Sequence, residues 1–437
     1  MIKVNYTLKI INLFTDYNKT IDYLFKLERR GIKYNLNNIK KLLSFLGNPE
    51  KNFKSIHVAG TNGKGSVSSM INSILIEKGF RCGLYTSPHI TDFRERILVN
   101  GEWASKKFII DFTNKINPLV KKIEPSFFEV ATAMAFEYFS KKKVDYAVIE
   151  TGLGGRLDST NVLLPEISVI TTIAIDHVDF LGDTIEKIAY EKAGIIKKNM
   201  PVVVGNLKPA ALKEIRKKAE SLNSKFINSS RKEIRITKRI EKGLDFKFEN
   251  QKFNFPVIGD YQLHNLRTAL TAIQTLSDKN KIPFSKSIIQ KGLSNIKNNS
   301  NFYGRFDKIK QFPKIITDVS HNEQAFDNIG ANLKYFKYKK LVVIFGMMKD
   351  KNYQKCLNTL SKLDAKIILT RPLYPRAEEP QKLFESVKNK SKFIPVQNLN
   401  DAFTYALNLA NKKDMILITG SFFLVSEFLE MYNKFYK

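Results

Sequence analysis

The chain has 437 residues, of which 43% are apolar and 32 are phenylalanine. That length exceeds what one ordinary hydrophobic core organises, so the sequence predicts two domains and excludes a largely disordered chain. The formal net charge is +30, which makes nucleic acid the first partner to consider.

The distribution of this charge argues against a nucleic-acid partner. Lysine and asparagine occur together throughout, as in Lys297-Asn-Asn-Ser300, which is typical of an A/T-rich coding sequence. The basic residues are spread along the chain rather than gathered in one stripe, and no known nucleic-acid-binding module appears. A basic surface would still attract a polyanionic substrate.

The cysteines and the hydropathy indicate a cellular compartment. Cys82 and Cys356 fit neither a disulfide framework nor a C-x-x-C metal pattern, which suits a reducing cytosol. The stretch from Met1 to Phe14 lacks the apolar core of a signal peptide, and no apolar run is long enough to span a bilayer. The sequence therefore predicts a soluble, cytoplasmic protein.

The first distinctive stretch is a glycine-rich turn. Helical spacing between residues 19 and 46 precedes it, and it joins a short strand at 56–59 to a helix at 66–78. Such a turn directs backbone N–H groups and a helix N-terminus at one point, which suits a phosphate. Lys64 adds positive charge, and the Ser66 hydroxyl could reach a phosphate-bound Mg²⁺. Gly65 separates the two, so this is a variant of the strict G-x-x-x-x-G-K-[ST] pattern.

Strands and helices alternate after this loop. The pattern predicts strands at 82–85, 144–149, 167–172 and 201–204, and helices at 105–123, 128–140 and around Glu191-Lys-Ala-Gly194. This alternation predicts an α/β fold with a doubly wound, mostly parallel sheet. Residues 225–257 read as a small antiparallel addition, and helices at 264–276 and 284–296 follow.

A second α/β pattern begins after the polar run at 295–301. Its predicted strands cover 315–318, 341–345, 365–369 and 415–419, with helices between them. We therefore expect domains at 1–297 and 302–437, joined by a linker at 298–301. The second domain should be a smaller doubly wound, Rossmann-like unit.

Polar side chains stand where three predicted strands end. Ser87, Glu150 and His177 offer a hydroxyl, a carboxylate and an imidazole, all compatible with a divalent cation. Alone, Ser87 could shape a turn and His177 could cap the next helix. Glu150 is harder to explain, because an unpaired carboxylate ending an apolar strand is costly to bury. Together the three favour a magnesium site.

A series of short motifs occurs along the chain in a fixed order. They are Ala59-Gly-Thr-Asn-Gly-Lys-Gly-Ser66, Thr86-Ser-Pro-His89, Glu150-Thr-Gly-Leu-Gly-Gly-Arg-Leu-Asp158, Asp176-His177 with Leu181-Gly182, Glu191-Lys-Ala-Gly194, Tyr303-Gly-Arg-Phe306, Asp318-Val-Ser-His-Asn322 and Gly420-Ser421. Together they resemble folylpolyglutamate synthase, including the bacterial form that is also dihydrofolate synthase, in the Mur ligase superfamily. The resemblance spans almost the whole chain.

The resemblance implies a nucleotide and metal site. ATP would be held by Gly60, Thr61, Asn62, Gly63, Lys64, Gly65 and Ser66, and by Asn265, Arg305 and Asp318. Mg²⁺ would be bound by Ser66, Ser87, Glu150 and His177. Lys192 matches a lysine that is carbamylated in this superfamily, and the modification replaces a cation beside Mg²⁺ by an anion.

The resemblance also implies the other substrates. Ser126, Phe127, Phe128, Glu129, Leu157, Asp158 and Ser159 match segments that contact the pterin-bearing acceptor. His321 and Ser421 resemble positions near the incoming glutamate and the γ-phosphate, and His321 is a candidate base for the glutamate amine. The family usually has proline after His-Asn, whereas this chain has Glu323, which suits a first helical turn.

The implied activity is ATP-dependent addition of L-glutamate to dihydropteroate or to folates through an acyl phosphate, by a monomer that uses ATP and Mg²⁺. One alternative is another Mur-type amino-acid ligase. It is disfavoured by the Ser126–Glu129 and Leu157–Ser159 segments and by the lack of a nucleotide-sugar domain before residue 56. The other is an NTPase that binds nucleic acid through its basic surface.

Overall fold

The computed structural model describes residues 13–31, 33 and 35–436. Residues 1–12, on which the expectation of no signal peptide mainly rests, lie outside the described residues. Within the described ranges, none of the helices combines the length and the apolar character needed to cross a membrane.

The first half of the chain is built on an eight-stranded sheet of order β4-β3-β2-β5-β1-β6-β7-β8. Its strands are β1 (Lys54–Ala59), β2 (Cys82–Tyr85), β3 (Ile97–Val99), β4 (Glu102–Trp103), β5 (Tyr146–Glu150), β6 (Ile167–Ile170), β7 (Val202–Val204) and β8 (Phe226–Asn228). The pairs from β2 to β8 are parallel, whereas β3 and β4 form an antiparallel hairpin on the β2 edge. The strands β1, β2, β5, β6 and β7 are buried almost continuously, because both faces of the sheet are covered.

Helices pack on both faces of this sheet. They are α1 (Tyr17–Lys26), α2 (Asn37–Phe45), α3 (Lys64–Glu77), α4 (Lys106–Ile123), α5 (Phe127–Lys141), α6 (Val178–Leu181), α7 (Ile185–Ala193), α8 (Pro209–Ser221), α9 (Gln262–Asn280), α10 (Lys286–Ser294) and α11 (Ile296–Ser300). One core joins α3, α9 and α10 to the sheet, and another joins α1, α2, α4 and α5 to its opposite face. Helix α5 is apolar on nearly every side because it is buried along its length.

The predicted antiparallel addition is present, with a different boundary. It consists of β9 (Ile234–Ile240), β10 (Gly243–Phe248) and β11 (Gln251–Phe255), in the order β11-β10-β9. Phe226–Asn228, which the sequence placed in this addition, instead pairs in parallel with β7 in the large sheet. That strand has only three residues, too few for a period to identify its partner.

The second half is a six-stranded sheet of order β12-β13-β17-β14-β15-β16, parallel except for β12. Its strands are β12 (Asp307–Lys310), β13 (Lys314–Asp318), β14 (Leu341–Phe345), β15 (Ala365–Leu369), β16 (Phe393–Pro395) and β17 (Met415–Thr419). Its helices are α12 (Glu323–Phe326), α13 (Ile329–Leu333), α14 (Tyr353–Ser361), α15 (Pro380–Glu385), α16 (Leu399–Leu409) and α17 (Phe422–Phe435). The predicted fold class, a large phosphate-loop sheet with a smaller Rossmann-like unit, is confirmed.

The predicted linker at 298–301 is not an extended segment. Residues 296–300 form α11, in which Ile296 and Ser300 are buried. The Ser300 hydroxyl donates to the Ser69 carbonyl oxygen at 3.0 Å, and Asn72 donates to the Ser300 oxygen at 3.0 Å. The polar run therefore forms a helix docked on α3, and its side chains are used for contact rather than for solvation. The domain boundaries at 297 and 302 stay a prediction.

Candidate active site

A cavity of about 1020 Å³ lies between the two halves of the chain, at the carboxyl ends of β1, β2, β5 and β6. Open α/β sheets bind their ligands at this edge. All the sequence-predicted site residues line this cavity except Glu129. The topology thus brings together side chains that are up to 361 positions apart, from Gly60 to Ser421.

The glycine-rich turn forms the floor of the cavity. Gly63 precedes α3 with φ +84°, and a Cβ at that position would overlap the Asn265 side-chain oxygen. A Cβ on Gly60 would likewise overlap the Thr171 hydroxyl. Only glycine fits these two positions, so the backbone amides of the turn stay open to a ligand at the start of α3.

Two lysines converge on one carbonyl oxygen of this turn. Lys64 Nζ lies 3.2 Å from the Gly60 oxygen, and Lys192 Nζ donates to the same oxygen at 2.9 Å. Lys192 is only 3% exposed. Its burial, followed by the nearby charge of Lys64, lowers the Lys192 pKa to about 7. Near neutral pH a large fraction of this amine is uncharged, and therefore nucleophilic.

Glu150 ends β5 beside the turn and is 4% exposed. Its carboxylate lies 3.9 Å from Lys64 Nζ and accepts a hydrogen bond from the Ser87 backbone N–H at 3.3 Å. Burial raises the Glu150 pKa to about 7, against the smaller opposing effects of Lys64 and the Ser87 N–H. Register explains the placement, because Glu150 pairs with Val58 immediately before the turn.

His177 lines the cavity immediately before α6, with φ +51°. Its ring makes no capping hydrogen bond to α6, so the capping role that the sequence left open is not what holds it. Its Nε2 is 3.8 Å from Asp176, and burial lowers the His177 pKa, which favours the neutral imidazole. Asp176 also accepts a hydrogen bond at 2.9 Å from Lys351, which belongs to the second half.

The predicted acceptor segment begins α5. Ser126 is the N-cap, and its hydroxyl and backbone N–H both donate to the Glu129 carboxylate. This capping box accounts for the burial of Glu129, which does not line the cavity, and its contact with substrate stays a prediction. Phe127 and Phe128 do line the cavity.

The neighbouring loop from Gly152 to Ser159 is organised by Asp158. Its carboxylate accepts from the Leu153 N–H at 2.8 Å and from the N–H and hydroxyl of Thr160. The Thr160 oxygen lies 2.8 Å from Nε2 of His57, a fully buried residue of β1. Asp158 lines the cavity together with Leu157 and Ser159, although most of its bonding capacity is used within the loop.

Three predicted nucleotide contacts sit where the halves meet. Asn265 donates to Gln262 at 2.9 Å and lies against Gly63. The Arg305 guanidinium is 5.5 Å from the Phe422 ring centre. Asp318 is buried and accepts from the N–H groups of Ser320 and Phe306, so it also shapes the loop that carries it.

His321 and Ser421 come from neighbouring strand ends of the second sheet. Nδ1 of His321 lies 3.0 Å from the Val319 carbonyl oxygen, which requires the hydrogen on Nδ1 and leaves Nε2 as an acceptor. Burial lowers the His321 pKa to about 4, so the ring is neutral and weakly basic. The Ser421 hydroxyl caps α17 by accepting from the Leu424 N–H.

Glu323, which stands where the family usually has proline, points away from the cavity. It opens α12 behind the Asn322 cap and pairs with Lys355 at 2.9 Å and with Asn352 at 2.8 Å. Asn322 caps the helix through its side chain. The helix therefore starts without a proline.

The sequence did not predict two of the cavity residues, Gln324 and Arg96. The Asn62 side chain exchanges hydrogen bonds with Asn322 and donates to Gln324 at 2.7 Å, which ties the phosphate turn to the second half. Arg96 lines the cavity at the end of a 3₁₀ helix, Phe93–Arg96. In the sequence Phe93-Arg-Glu-Arg96 reads as an exposed charged run, and no local signal marks Arg96 as buried.

Family models match both halves of the chain. Residues 58–273 match the Mur ligase middle domain, and residues 304–422 match the glutamate ligase domain of Mur ligases. A dihydrofolate synthase/folylpolyglutamate synthase from Bacillus subtilis is 33% identical over 431 residues, covering 95% of this chain and 99% of that protein.

The chain belongs to the folylpolyglutamate synthase family of Mur ligases. Solved structures agree. A folylpolyglutamate synthase from Mycobacterium tuberculosis in complex with ADP and AMPPCP has a TM-score of 0.86 at 28% identity, covering 95% of this chain and 99% of that one. FolC of E. coli in complex with DHPP and ADP has a TM-score of 0.84 at 26% identity, with 96% and 98% covered. The predicted family and enzyme class, an ATP-dependent ligase that adds glutamate, are confirmed.

Proposed function

We propose that this protein uses ATP to join L-glutamate to dihydropteroate and to folates. An acceptor carboxylate oxygen attacks the γ-phosphorus, forming an acyl phosphate and releasing ADP. The glutamate amine then attacks the acyl carbon, loses a proton, and expels inorganic phosphate. The observation that carries this proposal is one cavity that joins a phosphate turn, a buried carboxylate and an aromatic segment to residues of the second half.

The phosphate turn would bind ATP through its amides, Lys64 and Ser66. Lys64 now bridges the turn and Glu150, so a phosphate arriving at the amides meets an ammonium group already in place. Fixed charges aimed at the transferred phosphoryl group are the main catalytic device available to such a site. Asn265, Arg305 and Asp318 are proposed to complete the nucleotide site when the halves close.

The donor set fits Mg²⁺. Among the described residues, no group of three or more His, Cys, Asp and Glu side chains could hold a metal alone. Mg²⁺ in nucleotide sites takes only one or two carboxylates and draws its other ligands from phosphates and water. Glu150, with the Ser66 and Ser87 hydroxyls and the His177 ring, would supply that minimum. When bound, the ion would neutralise charge on the phosphates.

Lys192 is proposed to be carbamylated. Carbamylation adds carbon dioxide to an uncharged amine and releases a proton, and burial has lowered the Lys192 pKa to about 7. The modification would also replace the like charges of Lys192 and Lys64 by an ion pair. This is the physical reason to expect it here.

His321 would act on the glutamate amine only as a hydrogen-bond acceptor. Its Nε2 can accept a hydrogen bond, but a pKa lowered to about 4 makes the His321 ring a weak general base. Ser421 and the neighbouring N-terminus of α17 are proposed to lie near the γ-phosphate. For the protein as a whole, we propose a cytoplasmic monomer without nucleic-acid or membrane partners.

The test is ADP release with an acceptor panel. We expect release with Mg²⁺ only when glutamate and a pteroate or folate are both present. Lys64→Ala and Glu150→Ala should each lower kcat by at least about 100-fold, while Lys213→Ala on an exposed face of α8 should not. ATP hydrolysis stimulated by RNA or DNA and indifferent to folates would contradict the proposal.

A further inference from the structure

Arg96 is a buried cation that forms no ion pair with any residue in the described part of the chain. It is 7% exposed, and no described carboxylate lies within 4.0 Å of its guanidinium, the limit for an ion pair. Arg94, two residues earlier on the same 3₁₀ helix, shows the usual arrangement: its Nε and Nη2 both bond to Asp92, at 2.9 and 2.8 Å. The two arginines share a helix but not a role.

The contacts of Arg96 fix the direction of its guanidinium. Nε donates to Nδ1 of His89 at 2.8 Å, and the group lies 5.2 Å from the Phe127 ring centre. His89 is itself stacked on Phe25, with ring centres 5.8 Å apart. Because Nε donates to His89, the edge of the guanidinium formed by the two terminal nitrogens points away from the His89 ring. Neither has a hydrogen-bond partner among the described residues, and neither is sealed from solvent, so they open on the cavity.

Burying the Arg96 guanidinium away from water costs free energy unless an anion binds to it. Burial lowers the Arg96 pKa, yet a guanidinium keeps its charge in proteins. The surrounding carboxylates are already engaged: Glu95 accepts from the N–H groups of Ile90 and Thr91, and Glu150 faces Lys64. Glu28 is exposed and acts only over a longer distance. An unpaired buried charge aimed into a cavity is typical of a ligand site.

Position identifies the ligand. Arg96 packs on Phe127, the first ring of the predicted pterin segment, and lies within electrostatic range of Glu150 at the phosphate turn. The predicted ATP phosphate contacts lie in the turn beside Lys64 and Glu150, and the predicted glutamate contacts come from the second half of the chain. The remaining anion is a carboxylate of the acceptor.

We propose that Arg96 binds the carboxylate of the folate-type acceptor through its two terminal nitrogens. A planar guanidinium matches a carboxylate in a bidentate pair, which a lysine ammonium cannot reproduce. Nε and the Phe127 ring hold the group in the plane that this pairing needs. The assignment rests on the proposed function, because it takes the acceptor to be a carboxylic acid.

The experiment is a double-mutant cycle between the side chain and the ligand carboxylate. Binding of dihydropteroate and of its primary carboxamide is measured by calorimetry on wild type, Arg96→Met and Arg96→Lys. We expect Arg96→Met to weaken the acid by about 10- to 100-fold and the amide by less than about threefold, with partial recovery in Arg96→Lys. Arg94→Met, outside the cavity, should leave both affinities unchanged if the protein stays folded.

Equal losses for acid and amide, or no loss for either, would overturn the assignment. The KM for ATP gives an independent readout, since a merely structural role for Arg96 should disturb it together with acceptor binding. Melting temperatures identify a variant that fails to fold, in which case Arg96→Lys carries the comparison. If wild-type protein releases no ADP with any pterin acid, the proposed function fails; if it does and the cycle shows no coupling, only the role of Arg96 fails.

Discussion

Replacing Glu150 by glutamine should abolish turnover and yet stabilise the protein. The Glu150 carboxyl is buried and its pKa is raised to about 7, against about 4.5 in an unfolded chain. At pH 8 the folded state must therefore hold a charge that burial disfavours. A difference of about 2.5 pKa units corresponds to about 3 kcal/mol of unfolding free energy. Glutamine keeps the hydrogen bond from the Ser87 N–H, but its amide NH₂ meets Lys64, so this figure is an upper limit.

The direction of the pH dependence of stability follows from the direction in which folding shifts the Glu150 pKa. A carboxyl group whose pKa is raised by folding supports stability below its unfolded pKa, and that support is lost as the pH rises through the folded pKa. The wild-type protein should therefore lose stability between about pH 4.5 and about pH 7, whereas Glu150→Gln should lack this loss. The two proteins should be equally stable near the acid end and furthest apart near pH 8.

Urea unfolding of metal-free and nucleotide-free protein measures this difference. Trp103, the single tryptophan of the sequence, lies in β4 of the same sheet and reports the unfolding of the domain that carries Glu150. Glu186→Gln, at an exposed position on α7, is the matched control and should show no pH-dependent gain. The explanation by buried charge is refuted if Glu150→Gln is less stable than wild type at pH 8. It is also refuted if the difference in unfolding free energy between the two proteins does not change with pH.

Other substitutions test neighbouring parts of the site. Gly63→Ala and Gly79→Ala both place alanine at a positive φ, at a cost of about 1 kcal/mol each, but only at Gly63 does the new Cβ overlap Asn265. The KM for ATP should therefore rise in Gly63→Ala and not in Gly79→Ala. A rise of KM in both variants would contradict this explanation. Thr160→Val should lower the unfolding free energy by about 1–3 kcal/mol, because it removes the hydroxyl that donates to the buried Asp158 carboxylate, while Thr160→Ser should retain most of that stability in a denaturant titration. Lys192→Arg should be inactive, and bicarbonate should reactivate wild-type protein stripped of carbon dioxide; no response to bicarbonate would rule out the carbamate.

The fold could be predicted from the sequence because parallel strands of five or six residues form recognisable apolar runs. The apolar runs of β1, β5 and β14 and the polar residues just after them predicted both the sheets and the edge where the cavity lies. The strands β4, β8 and β16, which have only two or three residues each, were missed or misassigned, since so few residues carry no period.

The side-chain partners could not be predicted from the sequence. Ser126 and Glu129 match a substrate segment in the motif, but the structure uses them together as a capping box. Arg96 reads as a surface arginine, and its burial depends on packing against Phe127, which is distant in sequence, as well as on the contact with the nearby His89. Lys64 and Lys192 converge on the Gly60 carbonyl oxygen, and Glu150 lies beside Lys64, contacts that only the fold creates.

The most direct test of the account is ADP release with purified protein, ATP and Mg²⁺, comparing dihydropteroate, tetrahydrofolate and no acceptor, each with and without L-glutamate. We expect sustained release only when an acceptor and glutamate are both present, with a product larger than the acceptor by one glutamate in each turnover. Sustained release that is independent of glutamate, or none with either acceptor, would contradict it.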